Sequence, residues 1–170
     1  MDIFDILLQD LKALFEVREF IDGKVELQKS LYFMKELGYP IPFNFRWNKL
    51  GPYSYELANI IDRLTVQGYL DYTGRYELNK NYFRFVTSNV TPKMKTFFNA
   101  MERICNMNKF SSVDFIECAA SLHFIYKYTS VRQKEKTLEK LAILKPDRIQ
   151  SFIPIEDNAW DFLKGQGLVA

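Results

Sequence analysis

The sequence predicts a mainly α fold: a winged helix-turn-helix-like N-terminal lobe with a small antiparallel sheet, then a helical C-terminal lobe. Three observations predict it. Apolar residues recur at three- and four-residue intervals over most of the chain, which is the helical period. The stretch Leu50–Leu70, LGPYSYELANIIDRLTVQGYL, reads as a helix closed by a glycine and handed directly to an extended segment. Thr73-Gly74 lies between two short runs that read as paired strands, with the glycine free to supply a positive φ. The expected division is 1–90 for the winged lobe and 91–170 for the helical lobe, the two forming one compact unit.

Taken in order, residues 2–20 form a helix with Ile3, Ile6, Leu7, Leu11, Leu14 and Phe15 on its apolar side. A second helix runs from Val25 to Leu37, carrying Leu27, Leu31, Phe33 and Met34. Gly38 ends it, and Pro40 and Pro42 forbid continuation. Phe43–Asn48 alternates strictly and reads as a strand with Phe43, Phe45 and Trp47 on one face. The central helix then spans Gly51–Gly68, with Pro52 in its first turn. Ser54 is the alternative N-cap, which would start the helix a few residues later. Its apolar stripe is Tyr53, Leu57, Ile60, Ile61 and Leu64. The hairpin 69–78 follows, and Tyr82–Thr87 alternates in part, as a third strand would. Thr91-Pro92 opens a helix reaching Met107, Ser111 caps one reaching Tyr128, and Ser130 with Gln133 reads as a capping box for a lysine-rich helix reaching Leu144. Pro154 opens the last helix.

Composition excludes several classes. In 170 residues, 48% are hydrophobic and 26% charged, as in an ordinary globular protein. Seven Gly and six Pro leave no room for long disordered linkers. No apolar run spans a bilayer, and the acidic start MDIFDILLQD is not a secretory signal, so the expected location is the cytoplasm, with no membrane partner. Cys105 and Cys118 fall within expected helices and read as buried free thiols. The net charge of +2 is uneven: residues 1–23 are acidic and residues 75–109 basic. The 15 Phe and 10 Tyr supply ample core or interface area.

Leu27-Gln28-Lys29-Ser30-Leu31-Tyr32-Phe33, followed by Gly51-Pro52-Tyr53-Ser54-Tyr55-Glu56-Leu57 and then Leu64 and Gly68-Tyr69-Leu70, resembles the Panacea family of SocA-like antitoxins and the YwgA-like proteins. The resemblance covers roughly residues 24–72. It implies a mostly helical domain that acts as an antitoxin or protein adaptor, with a toxin among the expected partners.

No constellation of catalytic residues is present. His123 is the only histidine, and Cys118 lies five residues before it, off its helical face. No Cys/His spacing supplies four metal ligands, and no glycine-rich loop cradles a phosphate. No catalytic residue, metal or cofactor is therefore assigned, and the reading is non-enzymatic: a regulatory or adaptor module. Gln28-Lys29 reads as a solvated helix flank, and the lysine-rich helix as a solvated face in which Arg132 and Glu135, and Lys136 and Glu139, are spaced to pair. Two partner classes stay open. Tyr55, Asn59 and Arg63 make an i, i+4, i+8 row off the apolar stripe, and an aromatic with an arginine suits a contact with a protein partner or a second copy of the chain. Arg75, Lys80 and Arg84, on and after the hairpin, are the residues that would meet DNA phosphates. Glu56 and Asp62 on the central helix would repel those phosphates.

Overall fold

The computed structural model describes residues 2–170 and is mainly helical, with two small antiparallel sheets. The helices are α1 (Ile3–Val17), α2 (Gly23–Glu36), α3 (Tyr55–Val66), α4 (Lys80–Phe83), α5 (Pro92–Asn108), α6 (Ser112–Tyr128), α7 (Lys134–Leu144), α8 (Ile149–Phe152) and α9 (Glu156–Gly165). One sheet pairs β1 (Arg46–Asn48) with β2 (Gly51–Tyr53), and the other pairs β3 (Leu70–Tyr72) with β4 (Tyr76–Leu78). The chain forms two compact units. The first runs up to Phe45 and takes in Ser54–Asn99. The second comprises Arg46–Tyr53 and Ala100–Ala170. This differs from a division at residue 90 in two ways: α5 contributes to both units, and the β1–β2 hairpin belongs with the C-terminal helices.

In the first unit, α1 buries Leu7, Leu11, Leu14 and Phe15, as its period requires, while Ile3 stays exposed. Helix α2 is buried all round: every residue from Glu26 to Met34 is inaccessible. The expectation that Gln28-Lys29 is a solvated flank is therefore corrected. Polar residues on a helix encircled by neighbours have no solvent side to occupy. Glu26 receives the Arg18 guanidinium and, at 2.8 Å, the Asp22 backbone N–H. Ile21 pairs with Tyr76 through two backbone bonds of 3.1 and 2.7 Å, extending the β3–β4 sheet by a single bridge.

The segment after β4 is not a strand. Asn79 caps the short α4, accepting from Asn81 N–H at 3.1 Å. The Lys12 ammonium then donates to the carbonyls of Phe83, at 3.2 Å, and Val86, consuming groups that a ladder would need. Further along, Ser88 donates to Glu16 and Asn89 to Asp10, both at 2.7 Å. At Thr91-Pro92 the expected cap forms, Met94 N–H donating to Thr91 Oγ1 at 3.2 Å.

The Asp10–Asn89 pair has a consequence for pH. Both residues carry a buried acceptor, Asp10 Oδ2 and Asn89 Oδ1, with no donor among the described residues. Burial holds Asp10 above its ordinary value of 3.8, against the opposing pull of the Asn89 bond. The native state thus binds the Asp10 proton more tightly than the unfolded chain. The stability this contributes is full below 3.8 and is lost as pH rises through the raised native value. Asp10→Asn supplies a permanent donor in place of the proton. It is expected to raise the melting temperature at neutral pH by about 2–4 °C, the equivalent of ~1 kcal/mol in a chain this size. A fall in melting temperature would show that the carboxylate is preferred in its charged form.

In the second unit, α6 is the central element, with Phe115 to His123 buried without interruption. It is flanked by α7, α8, α9 and β2. Ser111 caps it as expected, accepting from Asp114 N–H at 3.3 Å. At its other end the Arg132 guanidinium donates to the carbonyls of Tyr126 and Thr129, and to that of Lys127 at 3.3 Å, closing the helix with a cation where the dipole favours one. Helix α7 accordingly starts at Lys134, with Gln133 as N-cap, and not from a Ser130 box. Lys134 pairs with Asp157 at 2.8 Å. Cys105 and Cys118 are buried and not joined in a disulfide, and burial pushes the Cys118 thiol up, which leaves it unreactive. His123 is buried as well. Beneath α6, Lys145 donates to Glu117 at 2.5 Å, and Arg148 bridges Asp114 (2.6 Å) and Glu117 (3.2 Å).

Candidate functional site

Helix α3 is fixed at both ends before it presents anything to solvent. Gly51 does not open it. With φ near 82° it ends the two-residue Lys49-Leu50 loop, and Gly51–Tyr53 pairs with Arg46–Asn48. The helix begins after Ser54, whose Oγ accepts from Leu57 N–H at 3.2 Å. The Ser54 backbone is held in turn by the buried Gln28 amide: Nε2 donates to Ser54 O at 2.8 Å and Oε1 accepts from Ser54 N–H at 3.1 Å. The LQK and GPYS motifs are thus two halves of one bonded joint. At the far end, Gly68 (φ 82°) lets its own N–H reach Thr65 O at 3.1 Å and Tyr69 N–H reach Leu64 O at 2.9 Å, a Schellman closure.

Between these ends the helix has a sharp two-sided character. Leu57, Ala58, Ile61 and Leu64 are buried, and Ile60 lies at the margin. Tyr55, Asn59 and Arg63 are all exposed, Tyr55 to 72%. The spacing brings the three onto one row, as expected from the sequence. Val66, 87% exposed, extends this face by nearly one turn. Its signal in the sequence is an apolar residue off the stripe Leu57, Ile61, Leu64. Arg63 lines two adjoining cavities of about 230 Å³ each, one shared with Ile3, Phe4, Leu7 and Gln67, the other with Asp62 and Val66. Asp62 is engaged by Lys24 at 2.6 Å.

The three cations considered for DNA are exposed but closely accompanied by acids. Arg75 pairs with Glu77 at 3.2 Å and lies over the Phe20 ring, 4.0 Å from its centroid. Lys80 and Arg84 line a cavity of about 380 Å³ together with Glu16, Glu19 and Glu77. A phosphate entering there would meet three carboxylates against Lys80, Arg84 and the already engaged Lys12, which removes most of the counterion-release advantage. Among the described residues, no group of three His, Cys, Asp or Glu side chains is placed to hold a metal ion, and no helix is long and apolar enough to cross a membrane.

Neither a protein-family model nor a curated protein sequence matches the chain.

Proposed function

We propose that this chain is a non-enzymatic adaptor or regulatory module that binds a protein partner through the exposed face of α3, in the manner of an antitoxin. The supporting observation is the row Tyr55, Asn59, Arg63 on a helix that is capped at both ends and pinned through Gln28. A pre-organised helix loses little freedom when bound, so its exposed aromatic and guanidinium groups retain their full binding value. The antitoxin character rests on the resemblance of the two motifs alone. A DNA-binding regulator is the second reading, favoured by the β3–β4 hairpin that follows α3, and weakened by Glu16, Glu19 and Glu77 around its cations.

The test is a photocrosslinking amino acid placed at Asn59, and separately at Lys136 on the exposed side of α7, expressed in the native host. A discrete adduct with a protein from position 59 and none from 136 supports the proposal. Adducts from neither position, together with salt-dependent binding of duplex DNA that is lost on removing Arg75, Lys80 and Arg84, would replace it with the second reading.

A further inference from the structure

We infer that the cleft of about 380 Å³ lined by α1, β4 and α4 binds a small zwitterion, a molecule carrying an ammonium and a carboxylate on an apolar body, as a free amino acid or a short peptide does. None of its lining comes from α3, so the site is separate from the partner face proposed above. Its charges balance: Glu16, Glu19 and Glu77 line it together with Lys12, Lys80 and Arg84. A phosphate or a polycation gains little there, because each meets like charge as well as unlike. Yet the unlike charges are not spent on one another. Among the described residues, none of the six forms an ion pair with another of the six. The side chains of Glu19 and Lys80 make no hydrogen bond or ion pair with any described residue. Arg84 meets the Phe85 ring, 5.4 Å from its centroid, and no acid. Opposite charges that share a cleft and leave each other unpaired are matched by a molecule that carries both.

The two charged groups have separate places. Glu19 is open, and Glu16 spends only Oε2, on Ser88 at 2.7 Å. These acids, from α1 and the residues just after it, receive the ammonium, which brings three donors. On α4 and at its end, Lys80 and the Arg84 guanidinium receive the carboxylate, Arg84 through paired N–H groups. Lys12 gives two of its three donors to the carbonyls of Phe83 and Val86, which leaves one for the same carboxylate. Glu77 is held by Arg75 at 3.2 Å. The buried rings of Phe15 and Phe83, with half-buried Leu78, complete the lining and give the apolar body a surface. The volume of about 380 Å³ falls within the roughly 300–1,000 Å³ of small-molecule pockets.

Titration calorimetry on the full chain, with L-phenylalanine and its dipeptide as probes, tests this. Saturable binding is expected, and the tighter of the two probes distinguishes a free amino acid from a peptide as the source of the zwitterion. Phenethylamine, which lacks the carboxylate, and hydrocinnamate, which lacks the ammonium, should each bind at least about tenfold more weakly, since each forfeits one set of charge-assisted bonds. Lys80→Glu should weaken binding of the zwitterion by a similar factor and turn the preference to phenethylamine. Glu19→Lys should turn it to hydrocinnamate. Both positions are exposed, so each variant should keep the wild-type melting temperature to within about 2 °C. Absence of saturable binding for both zwitterions overturns the inference. So does equal binding of the amine or the acid alone, or a preference that the two charge reversals leave unmoved.

Discussion

Glu117→Ala is expected to destabilise the protein by about 3–5 kcal/mol, because it leaves a buried ammonium without its counter-charge. The Lys145 side chain is wholly inaccessible and Glu117 nearly so, and the two are bonded at 2.5 Å. Burial lowers the Lys145 pKa, and the Glu117 bond is the main influence holding it up. Loss of the carboxylate lets it fall further. The unfolded chain then binds the lysine proton more tightly than the native state does, so stability rises with pH between the lowered native value and 10.5. The deficit should accordingly be largest near neutrality and narrow in alkaline solution. Urea melts at several pH values measure this. The double substitution Glu117→Leu/Lys145→Met, which removes both charges, should recover most of the loss. A Glu117→Ala variant as stable as wild type would mean that Lys145 reaches water.

Leu31→Ala should cost about 2–5 kcal/mol, the range for a buried leucine whose cavity only partly collapses. Leu31 is inaccessible, as are Leu27, Met34, Leu57 and Leu64, and α2 contacts α3 directly. The Gln28–Ser54 bonds hold these two helices at a fixed register, so the vacated volume has little freedom to close. An unchanged melting temperature would contradict this packing.

The helices were largely legible because their apolar residues repeat at the helical period and because Gly38, Gly68, Thr91 and Ser111 sit where caps belong. Where the sequence misled, a long-range partner decided. YFRFVT alternates like a strand, but Lys12 takes the carbonyls of Phe83 and Val86 from 71 and 74 residues away, and no local pattern announces that. Gly51-Pro52 suits a first helical turn, yet Gly51–Tyr53 finds a ladder in Arg46–Asn48. Only Arg46–Asn48 of the expected strand Phe43–Asn48 is paired in a ladder. Lys35 instead donates to Phe43 O at 2.6 Å. Gln28 and Lys29 look solvent-facing in the sequence because charge and polarity usually are. Their burial follows from a surrounding shell that the helical period cannot reveal. Of the candidate site, the row Tyr55, Asn59, Arg63 follows from spacing alone, whereas the cavity that Arg63 shares with Ile3, Phe4 and Leu7 depends on α1, which is remote in sequence.

The measurement that bears most directly on the α3 face as the binding surface compares wild type with Tyr55→Ala/Arg63→Ala in two readouts, thermal melting and recovery of the partner crosslinked through Asn59. Both side chains are exposed, so the melting temperature should move by less than about 2 °C, in line with surface substitutions of within ±0.5 kcal/mol. Partner recovery should fall at least about tenfold, as expected when two hot-spot residues are truncated. Undiminished recovery from a variant that is fully folded would contradict the account.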